Sequence, residues 1–566
     1  MTGSPHDPHL SSCQTQSPVA GPAGQKQKTA PYRRRPPRLP SSDHVAPKGY
    51  SDWAPAHKQP FAVPAAAGLG RLGGRGAWHR SALHPRGAVF AFRAASDYHS
   101  LLGTRVSPGN DKMRTMPVDR WWSAGSGAAL EELEPSNVVP GGPVWRRMGA
   151  AGALAALGAA ILLGIAAPRA AWAQRGWTRF RGPDGTGISW DESIPVTFDE
   201  RAYRWQLPLP GSGHSSPAIW GEKLFVTCEN RSQQQRSVVC IDTRAGRLLW
   251  EWKTTFEPYR SHSFNSYAAA TPAVDARGVY VSWVSGNSVE VVGLDHAGRR
   301  LWTRRMEDFR SRFGAGASPI VLDGVVVVAN DHGGQASFLA GLDAATGHLR
   351  WKVPRKSGLV SFITPAVFRS PSGAVELVFV SPSHGITGVE PATGAVLWEV
   401  SGLFTQKTVA SPVIAGQRVF ATSGRGGRGV ESALVRRGDA ATGQKAGRLG
   451  QIDTDLPYVP TPVACDGYLF IWTDHGVVSC AEVATGKVLW RERVGGQYFA
   501  SPVCVAGKLY GVSKKGEVVV LDAGPEFKLL GRSQLPEGSY ATPAVADGCI
   551  YFRTFEHVLC VAGKKG

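Results

Sequence analysis

The sequence predicts an all-β fold built from eight repeated four-stranded units, and three observations support this. A Ser-Pro or Thr-Pro dipeptide followed by an apolar pair recurs eight times, with successive prolines 40 to 55 residues apart, a period typical of an array of supersecondary units. Short apolar runs separated by turn residues follow each dipeptide. The dense Gly, Pro and β-branched content excludes helical repeats. The dipeptides are Ser216-Pro217, Thr271-Pro272, Ser318-Pro319, Thr364-Pro365, Ser411-Pro412, Thr461-Pro462, Ser501-Pro502 and Thr542-Pro543.

Each unit has the pattern of four short antiparallel strands. The sixth unit shows it best, with TPVACDG followed by YLFIWTD, GVVSCAEV, the turn ATG and KVLWRERV. Some inner runs, such as residues 325–328 and 518–521, are apolar without alternation, so both faces of those strands must be covered. A two-sheet sandwich would show cleaner alternation. Stacked four-stranded units with covered central strands therefore predict an eight-bladed β-propeller.

The two ends of the repeat region predict how the ring closes. The eighth unit stops after three strands, and an orphan strand at residues 203–208 precedes the first unit. Placing this strand in the last blade completes eight blades and removes open sheet edges. The proline before each first strand fits a strand that lines the central channel, where a missing N–H breaks no ladder.

The chain before the propeller has three predicted parts. Residues 1–147 are rich in Pro, Gly, Ser and His, which predicts a disordered or wrongly included leader. Residues 148–173 form an apolar run that follows two arginines and ends in Ala-Trp-Ala, as a secretory signal peptide does. An uncleaved membrane anchor is the alternative. Residues 174–200 would form an N-terminal arm, and residues 201–566 the propeller; a true start downstream of Met1 would place the signal at the amino end.

A turn and a tryptophan recur at the predicted fourth strands. The clearest copies are LDAATGHLRW, VEPATGAVLW and AEVATGKVLW, and looser copies are IDTRAGRLLW and LDHAGRRLW. This motif resembles the tryptophan-docking repeat of pyrroloquinoline-quinone-type (PQQ-type) propellers, over residues from about 201 to 566. The opening WTRFRGP at residues 177–183 also resembles the start of exported quinoprotein-like propellers of bacteria.

In a physical reading of the same motif, the turn glycine permits positive φ and the tryptophan offers a flat surface to wedge between blades. The predicted blade-docking residues are Trp205, Trp250, Trp302, Trp351, Trp398 and Trp490. The fifth unit keeps the turn at residues 441–443 but has no tryptophan after it, and the seventh lacks both. We therefore expect the two interfaces that follow those blades to be the softest.

The resemblance implies one of two functions. Some members of the family are dehydrogenases that bind the quinone with a divalent metal, with adjacent cysteines over the cofactor and an Asp base near calcium. Others are non-catalytic, such as the scaffold subunit of the barrel-assembly machinery of the outer membrane. This sequence has no adjacent cysteines, little room for pocket-building insertions and no evident carboxylate pair. Residues 330–332 (Asn-Asp-His) could offer metal ligands, but a solvated turn is the simpler expectation.

We therefore expect a non-catalytic scaffold without catalytic, cofactor-binding or metal-binding residues. A PQQ-dependent dehydrogenase of alcohols or sugars, with PQQ and calcium, is one alternative, and a polysaccharide- or signal-sensing propeller is another. The expected location is the periplasm or cell envelope, as a monomer without an integral anchor after signal cleavage. The barrel-assembly subunit is a lipoprotein, whereas Gln174 stands here where a lipid-bearing cysteine would.

The expected partner is an envelope protein or peptide, or a carbohydrate, at one mouth of the channel. Aromatic residues and one histidine near the Ser/Thr-Pro steps are the candidates for this interaction mouth: His214, Tyr267, Phe362, Tyr458, Tyr498, Phe499 and Tyr540. The alternative is that these rings only plug the axis between blades. The long loop at residues 259–267 is the candidate for specificity.

Nucleic acid is not an expected partner. The net charge of +19 is shared between the leader and the rest of the chain, and the Gly- and Arg-rich run at residues 423–429 falls where the fifth blade needs a hairpin loop.

The cysteines are mostly expected to be packing residues. Cys240, Cys480 and Cys560 share a third-strand position. Cys228 and Cys240 flank one hairpin, and whether they form a disulfide after export stays open.

Overall fold

The structure, a computed structural model, describes residues 176–306 and 309–563. The predicted leader (1–147) and signal peptide (148–173) lie outside the described residues. Within the described ranges the chain forms eight sheets of the predicted four-stranded antiparallel kind, and the only helix is a 3₁₀ turn at Glu200–Ala202. None of the described helical structure is long and apolar enough to cross a membrane.

The strands are numbered in chain order, and β1 (Ile188–Ser189) and β2 (Tyr203–Pro208) precede the repeats. Blade 1 contains β3 (Ala218–Trp220), β4 (Lys223–Asn230), β5 (Gln235–Asp242) and β6 (Leu248–Thr255). Blade 2 contains β7 (Ala273–Val274), β8 (Val279–Ser285), β9 (Ser288–Leu294) and β10 (Arg300–Met306). Blade 3 contains β11 (Ile320–Leu322), β12 (Val325–Asn330), β13 (Gly334–Asp343) and β14 (Leu349–Ser357). Blade 4 contains β15 (Ala366–Arg369), β16 (Val375–Ser381), β17 (Gly385–Val389) and β18 (Val396–Val400).

Blade 5 contains β19 (Val413–Ala415), β20 (Arg418–Arg425), β21 (Arg428–Arg436) and β22 (Gly447–Gly450). Blade 6 contains β23 (Val463–Cys465), β24 (Tyr468–Trp472), β25 (Val477–Glu482) and β26 (Val488–Arg493). Blade 7 contains β27 (Val503–Val505), β28 (Lys508–Val512), β29 (Glu517–Asp522) and β30 (Leu529–Gln534). Blade 8 contains β31 (Ala544–Ala546), β32 (Cys549–Arg553) and β33 (His557–Ala562), and it is completed by β2.

The predicted closure of the ring is confirmed. Strand β2 pairs antiparallel with β33, with Trp205 opposite Cys560 and Leu207 opposite Val558. The two ends of the repeat region thus share one sheet, and β2 supplies the outer strand that blade 8 would otherwise lack. Strand β1 was not predicted; it pairs in parallel with β27 and adds a fifth strand to blade 7.

The second and third strands of the blades carry the core. In β12 and β29, the apolar runs that lack alternation are buried on both faces, as expected for sheets packed between two neighbours. The fourth strands lie at the outer circumference of the propeller. In β18 three of five residues are exposed, while Trp398 is buried. Burial therefore falls from the middle strands to the outer edge of each blade.

Five of the six singled-out tryptophans bond to the next blade. Their indole N–H groups donate to backbone carbonyls in its third-to-fourth-strand turn: Trp205 to Thr243 at 2.8 Å, Trp250 to His296 at 3.1 Å, Trp302 to Ala344 at 3.0 Å, Trp351 to Pro391 at 2.9 Å and Trp490 to Gly524 at 3.1 Å. A β-carbon at Gly347 would lie 2.6 Å from the Trp302 ring, and φ there is +71°. The turn glycine is therefore needed both for its backbone conformation and for the close contact.

Trp398 is the exception, because the turn of blade 5 differs. Its indole N–H donates 2.9 Å to Glu376 within its own blade. The same carboxylate accepts hydrogen bonds from Arg437 in the turn of blade 5, including Nε at 3.3 Å. An ion pair between Glu376 and Arg437 thus connects blades 4 and 5, and Glu376 replaces the backbone carbonyl as the acceptor for the indole N–H of Trp398.

The interface between blades 7 and 8 is filled by the N-terminal arm. The Tyr510 hydroxyl donates to the carbonyls of Ile194 (3.3 Å) and Pro195 (3.2 Å). The Phe198 N–H donates to Ser533 at 2.8 Å, and the Phe198 ring lies 5.5 Å from that of Phe552. The arm thus fills the interface between blades 7 and 8, which has no docking tryptophan. Of the two interfaces expected to be weakly packed, the one between blades 5 and 6 therefore remains.

The cysteines in the described residues are all buried and free. Cys228 lies opposite Ser237, and Cys240 lies opposite Phe225. The two cysteines are therefore three residues apart along the hairpin, or roughly 10 Å at the usual rise of a strand. That separation is too large for a disulfide, so Cys228 and Cys240 are not bridged in this fold.

Candidate functional site

The eight Ser/Thr-Pro steps form a closed ring of hydrogen bonds around the channel. The Ser216 N–H donates to the Thr271 hydroxyl at 2.9 Å, and the Thr542 N–H closes the ring on the Ser216 hydroxyl at 3.0 Å. The six steps between them repeat this contact at 2.9 to 3.2 Å. Each residue must supply both an N–H and a hydroxyl, which explains why every one of these positions is Ser or Thr. The proline was expected from the sequence to mark the channel, whereas this role of the hydroxyl was missed.

Two buried arginines of the N-terminal arm close one end of the channel. Arg181 donates to the carbonyls of Thr461 (3.0 Å), Pro462 (2.8 Å) and Pro502 (3.0 Å). Arg179 donates to the carbonyl of Pro365 at 2.7 Å. Burial lowers the pKa of Arg181 to about 9 and that of Arg179 to about 10.

The arm backbone binds the inner strands beyond the hydroxyl ring. Its carbonyls accept from N–H groups of four blades: Trp177 from Ile219, Thr178 from Val274, Asp184 from Val367 and Gly187 from Cys504, at 2.7 to 3.1 Å. These inner-strand donors have no strand partner on the channel side, so the arm satisfies them. The channel is therefore a cup, open only at the mouth formed by the fourth-to-first-strand and second-to-third-strand loops.

The cup has a volume of about 720 Å³ and aromatic walls. Its floor consists of the hydroxyl ring and Phe180 of the arm. The Phe499 ring lies 4.9 Å from Tyr540 and 5.5 Å from Phe264, and His214 lies 4.8 Å from Tyr540. Phe264 belongs to the loop at residues 259–267, which therefore reaches into the cup as the candidate specificity loop would.

Two lysines place their ammonium groups over these rings. Nζ of Lys514 lies 3.6 Å from the Phe499 centroid and 4.6 Å from that of Phe264. Nζ of Lys407 lies 3.6 Å from the centroid of Phe313. Burial lowers the pKa of both lysines. Neither forms an ion pair with a carboxylate in the part of the chain that the structure describes, although the Asp474 carboxylate interacts electrostatically with Lys514 and offsets part of the effect of burial on its pKa. Two partly desolvated cations therefore face the cavity.

Asp474 is the carboxylate among the described cup-lining residues. Its oxygens accept from the N–H groups of Tyr458 (2.6 Å) and Val459 (3.2 Å). Burial outweighs these bonds and raises its pKa to about 6. Elsewhere on the wall, burial lowers the pKa of His214 to about 4 and leaves the imidazole neutral at pH 7. These two groups make the cup polar at two points of its wall.

The singled-out Asn-Asp-His run is buried and lies outside the cup. Asp331 pairs with Arg355 at 3.3 Å, and His332 packs 4.4 Å from the Phe309 ring. The expectation of a solvated turn at residues 330–332 is therefore wrong. Among residues 176–306 and 309–563 no group of three or more His, Cys, Asp or Glu side chains is arranged to hold a metal ion.

Five of the seven candidate mouth residues line the cup: His214, Phe362, Tyr458, Phe499 and Tyr540. Tyr498 does not, because successive residues of an extended chain point in opposite directions; it is fully buried, 5.2 Å from Trp472. Tyr267 packs beside the cup and donates from its hydroxyl to the Tyr259 carbonyl at 2.8 Å. The expectation that all seven share the mouth is corrected at these two positions.

Sequence reasoning missed Lys407, Lys514, Phe313 and Asp474. Lys514 stands in a Lys-Lys-Gly turn that reads as an ordinary hairpin, and Lys407 lies in a loop without a motif. The length of the loop at residues 259–267 did signal Phe264, but nothing in the sequence marked these four residues.

Comparison with known proteins places the chain among PQQ-like propellers. A family model described as outer membrane protein assembly factor BamB matches residues 191–354, 234–446 and 431–525. BamB of Yersinia pestis is 23% identical over 337 residues, which are 59% of this chain and 70% of that protein. BamB of Moranella endobia (strain PCIT) is 26% identical over 271 residues, 45% of this chain and 66% of that protein. A europium-containing methanol dehydrogenase superposes with a TM-score of 0.52 at 12% identity, over 68% of this chain and 90% of that one, which supports the fold alone.

Proposed function

Because the chain belongs to the family of outer membrane protein assembly factor BamB, we propose that it is an exported, non-catalytic propeller that binds envelope proteins as a scaffold. The observation that carries this proposal is the one-ended cup. Its mouth is built from loops on a rigid ring, and it presents aromatic rings and two lysine ammonium groups that form no ion pair among the described residues. Aromatic side chains held in place by a rigid scaffold are typical of protein-binding surfaces.

The residues of the cup fit a scaffold better than a quinone dehydrogenase. A calcium ion takes six to eight oxygen ligands and favours carboxylates. The described cup wall offers the carboxylate of Asp474, whose oxygens already accept two backbone N–H groups. This donor set does not fit a calcium ion, and it also lacks a second carboxylate that could share proton transfer with the first.

The proposal is tested by barrel assembly in the organism that makes the protein. We expect deletion of the gene to lower the folded fraction of outer-membrane β-barrels, measured by the heat-modifiable mobility of those barrels in gels. Re-expression of the chain should restore it, whereas re-expression without residues 148–173 should not, because the protein would stay inside the cell. Normal barrel assembly in the deletion strain would contradict the scaffold role. Saturable PQQ binding with calcium, together with dye-linked alcohol oxidation by the purified protein, would contradict the non-catalytic assignment.

A further inference from the structure

We propose that the cup binds an acidic peptide loop of a partner protein, in which an aromatic or aliphatic residue is flanked by Asp or Glu. This inference rests on the proposed scaffold function and adds the chemistry of the partner segment. Four features of the cup support it: lysine ammonium groups that form no ion pair among the described residues, basic side chains around the mouth, a floor of hydroxyl donors and a closed lower end.

The first feature is the ammonium group of Lys514. Three rings surround it, with centroids at 3.6 Å for Phe499, 4.6 Å for Phe264 and 5.8 Å for Tyr540. Ring faces attract a cation but do not neutralise it. A carboxylate beside these rings would gain a charge-assisted bond in a partly dry site, where such bonds are strong. The rings themselves would pack against the apolar residue next to that carboxylate.

The second feature is the charge of the loops around the mouth. Five exposed basic side chains lie on the same loops as the cup residues: Arg260, Arg312, Arg425, Arg428 and Lys515. None of the five forms an ion pair within the described ranges. Acidic side chains lie on the mouth loops as well: Glu431 accepts hydrogen bonds from Thr405 and Ser423, Glu537 pairs with His557, and Glu257 and Glu556 are exposed. The five unpaired basic side chains supply the positive charge that would attract a negatively charged segment.

The third feature is the hydroxyl floor. Each hydroxyl oxygen of the ring accepts a backbone N–H, and among the described residues none of the eight hydroxyls donates to a protein acceptor. Their protons are free to donate into the cavity, where peptide carbonyls are suitable acceptors. A row of such donors fits a backbone better than it fits a purely anionic ligand.

The fourth feature is the closed lower end. Phe180 and the buried arginines of the arm fill the channel below the ring, so a ligand enters and leaves by the same mouth. A loop can insert its tip into such a cup, whereas a long strand cannot pass through it. The volume of about 720 Å³ lies within the usual range of ligand sites.

The test is a fluorescence anisotropy titration of the full chain with a labelled peptide that carries Asp-Phe-Glu-Phe-Asp between Gly-Ser linkers. We expect saturable binding that weakens as salt is raised. Lys514→Gln should weaken binding about tenfold or more, because the carboxylate loses its buried partner. Lys515→Gln measures the contribution of charge around the mouth alone: it removes the same charge from the adjacent, exposed residue outside the cup, and it should weaken binding by less than about twofold.

Three results would overturn the inference. Equal weakening by the two substitutions would mean that charge around the mouth alone attracts the peptide. Equal binding of a peptide with Lys in place of Asp and Glu would exclude an acidic ligand. Displacement of the peptide by a neutral oligosaccharide such as maltohexaose at lower concentration would make the cup a carbohydrate site. Thermal melting of each variant checks that the fold is kept.

The same variants separate this inference from the scaffold function. If re-expression of the Lys407→Gln, Lys514→Gln double variant restores barrel assembly as well as the natural sequence does, the scaffold function stands and the role of the cup falls. If the peptide binds but deletion of the gene leaves barrel assembly normal, the cup chemistry stands and the envelope function falls.

Discussion

Arg181→Met tests whether the arm is an integral part of the ring. The guanidinium is about 1% exposed and donates to five carbonyls, three of them on inner strands of blades 6 and 7. Methionine keeps the length of the side chain but leaves these acceptors without donors. Each buried acceptor left unpaired lowers the free energy of unfolding by about 1 to 3 kcal/mol. Water that enters the site and relaxation of the arm recover part of this loss. We therefore expect the free energy of unfolding to fall by about 3 to 5 kcal/mol, the range for removing one partner from a buried charged network.

Urea unfolding followed by tryptophan fluorescence measures this loss, and limited proteolysis measures release of the arm. Arg201→Met is the matched control, because it makes the same substitution just after the arm at a side chain that is 91% exposed. We expect the control to change stability by less than about 1 kcal/mol, since its ion pair with Asp199 lies in water. Equal midpoints for Arg181→Met and the natural sequence, with an arm that still resists protease, would refute the view that the arginine seals the channel.

Three further predictions concern the ring, the cup and the cysteines. Thr461→Val should lower the free energy of unfolding by about 1 to 3 kcal/mol, because the buried Ser411 N–H loses its acceptor, whereas Thr461→Ser should retain most of the stability in the same urea titration. The pKa of Asp474, raised by burial from 3.8 to about 6, means that the folded state binds the proton more tightly than the unfolded state does. Its contribution to stability should therefore fall by up to about 3 kcal/mol as pH rises from 4 to 6 and stay level above that, and Asp474→Asn should remove this slope. A thiol reagent should label none of the seven propeller cysteines in the native protein and all seven after unfolding without reductant; a Cys228–Cys240 disulfide would appear as two unlabelled thiols.

The ring could be predicted from the sequence because each repeat carries local signals for its strands and turns. The Ser/Thr-Pro steps and the apolar runs recur at each blade, and the turn glycines recur at most of them. The eighth unit stops after three strands, so the strand at residues 203–208 was predicted to complete it. Long-range contacts without a repeat gave no such signal. Arg181 meets carbonyls that lie 280 to 321 residues further along the chain, and no spacing in the sequence marks that pairing.

The cup was predictable only in part, for the same reason. Tyr498 and Phe499 look alike in sequence, and only the direction of the extended chain sends one into the core and the other into the cavity. Lys514 and Lys515 are also adjacent and chemically identical, yet only Lys514 lies over the rings. Which of two similar neighbours faces a site depends on the local backbone direction, which composition and period do not report.

The arm and the hydroxyl ring together restrict where this protein can bind. The hydrogen bonds from Ser216 to Thr542 link all eight blades at the axis, so movement of one blade would strain its neighbours. The arm fills the lower end of the channel and joins blades 1, 2, 4 and 7 by backbone bonds. Variation that preserves the fold is thereby concentrated in the mouth loops, which carry Phe264, Lys407 and Lys514. Substitutions in these three side chains should therefore alter partner choice with little loss of stability, whereas substitutions in the ring should lower stability before they alter partner choice.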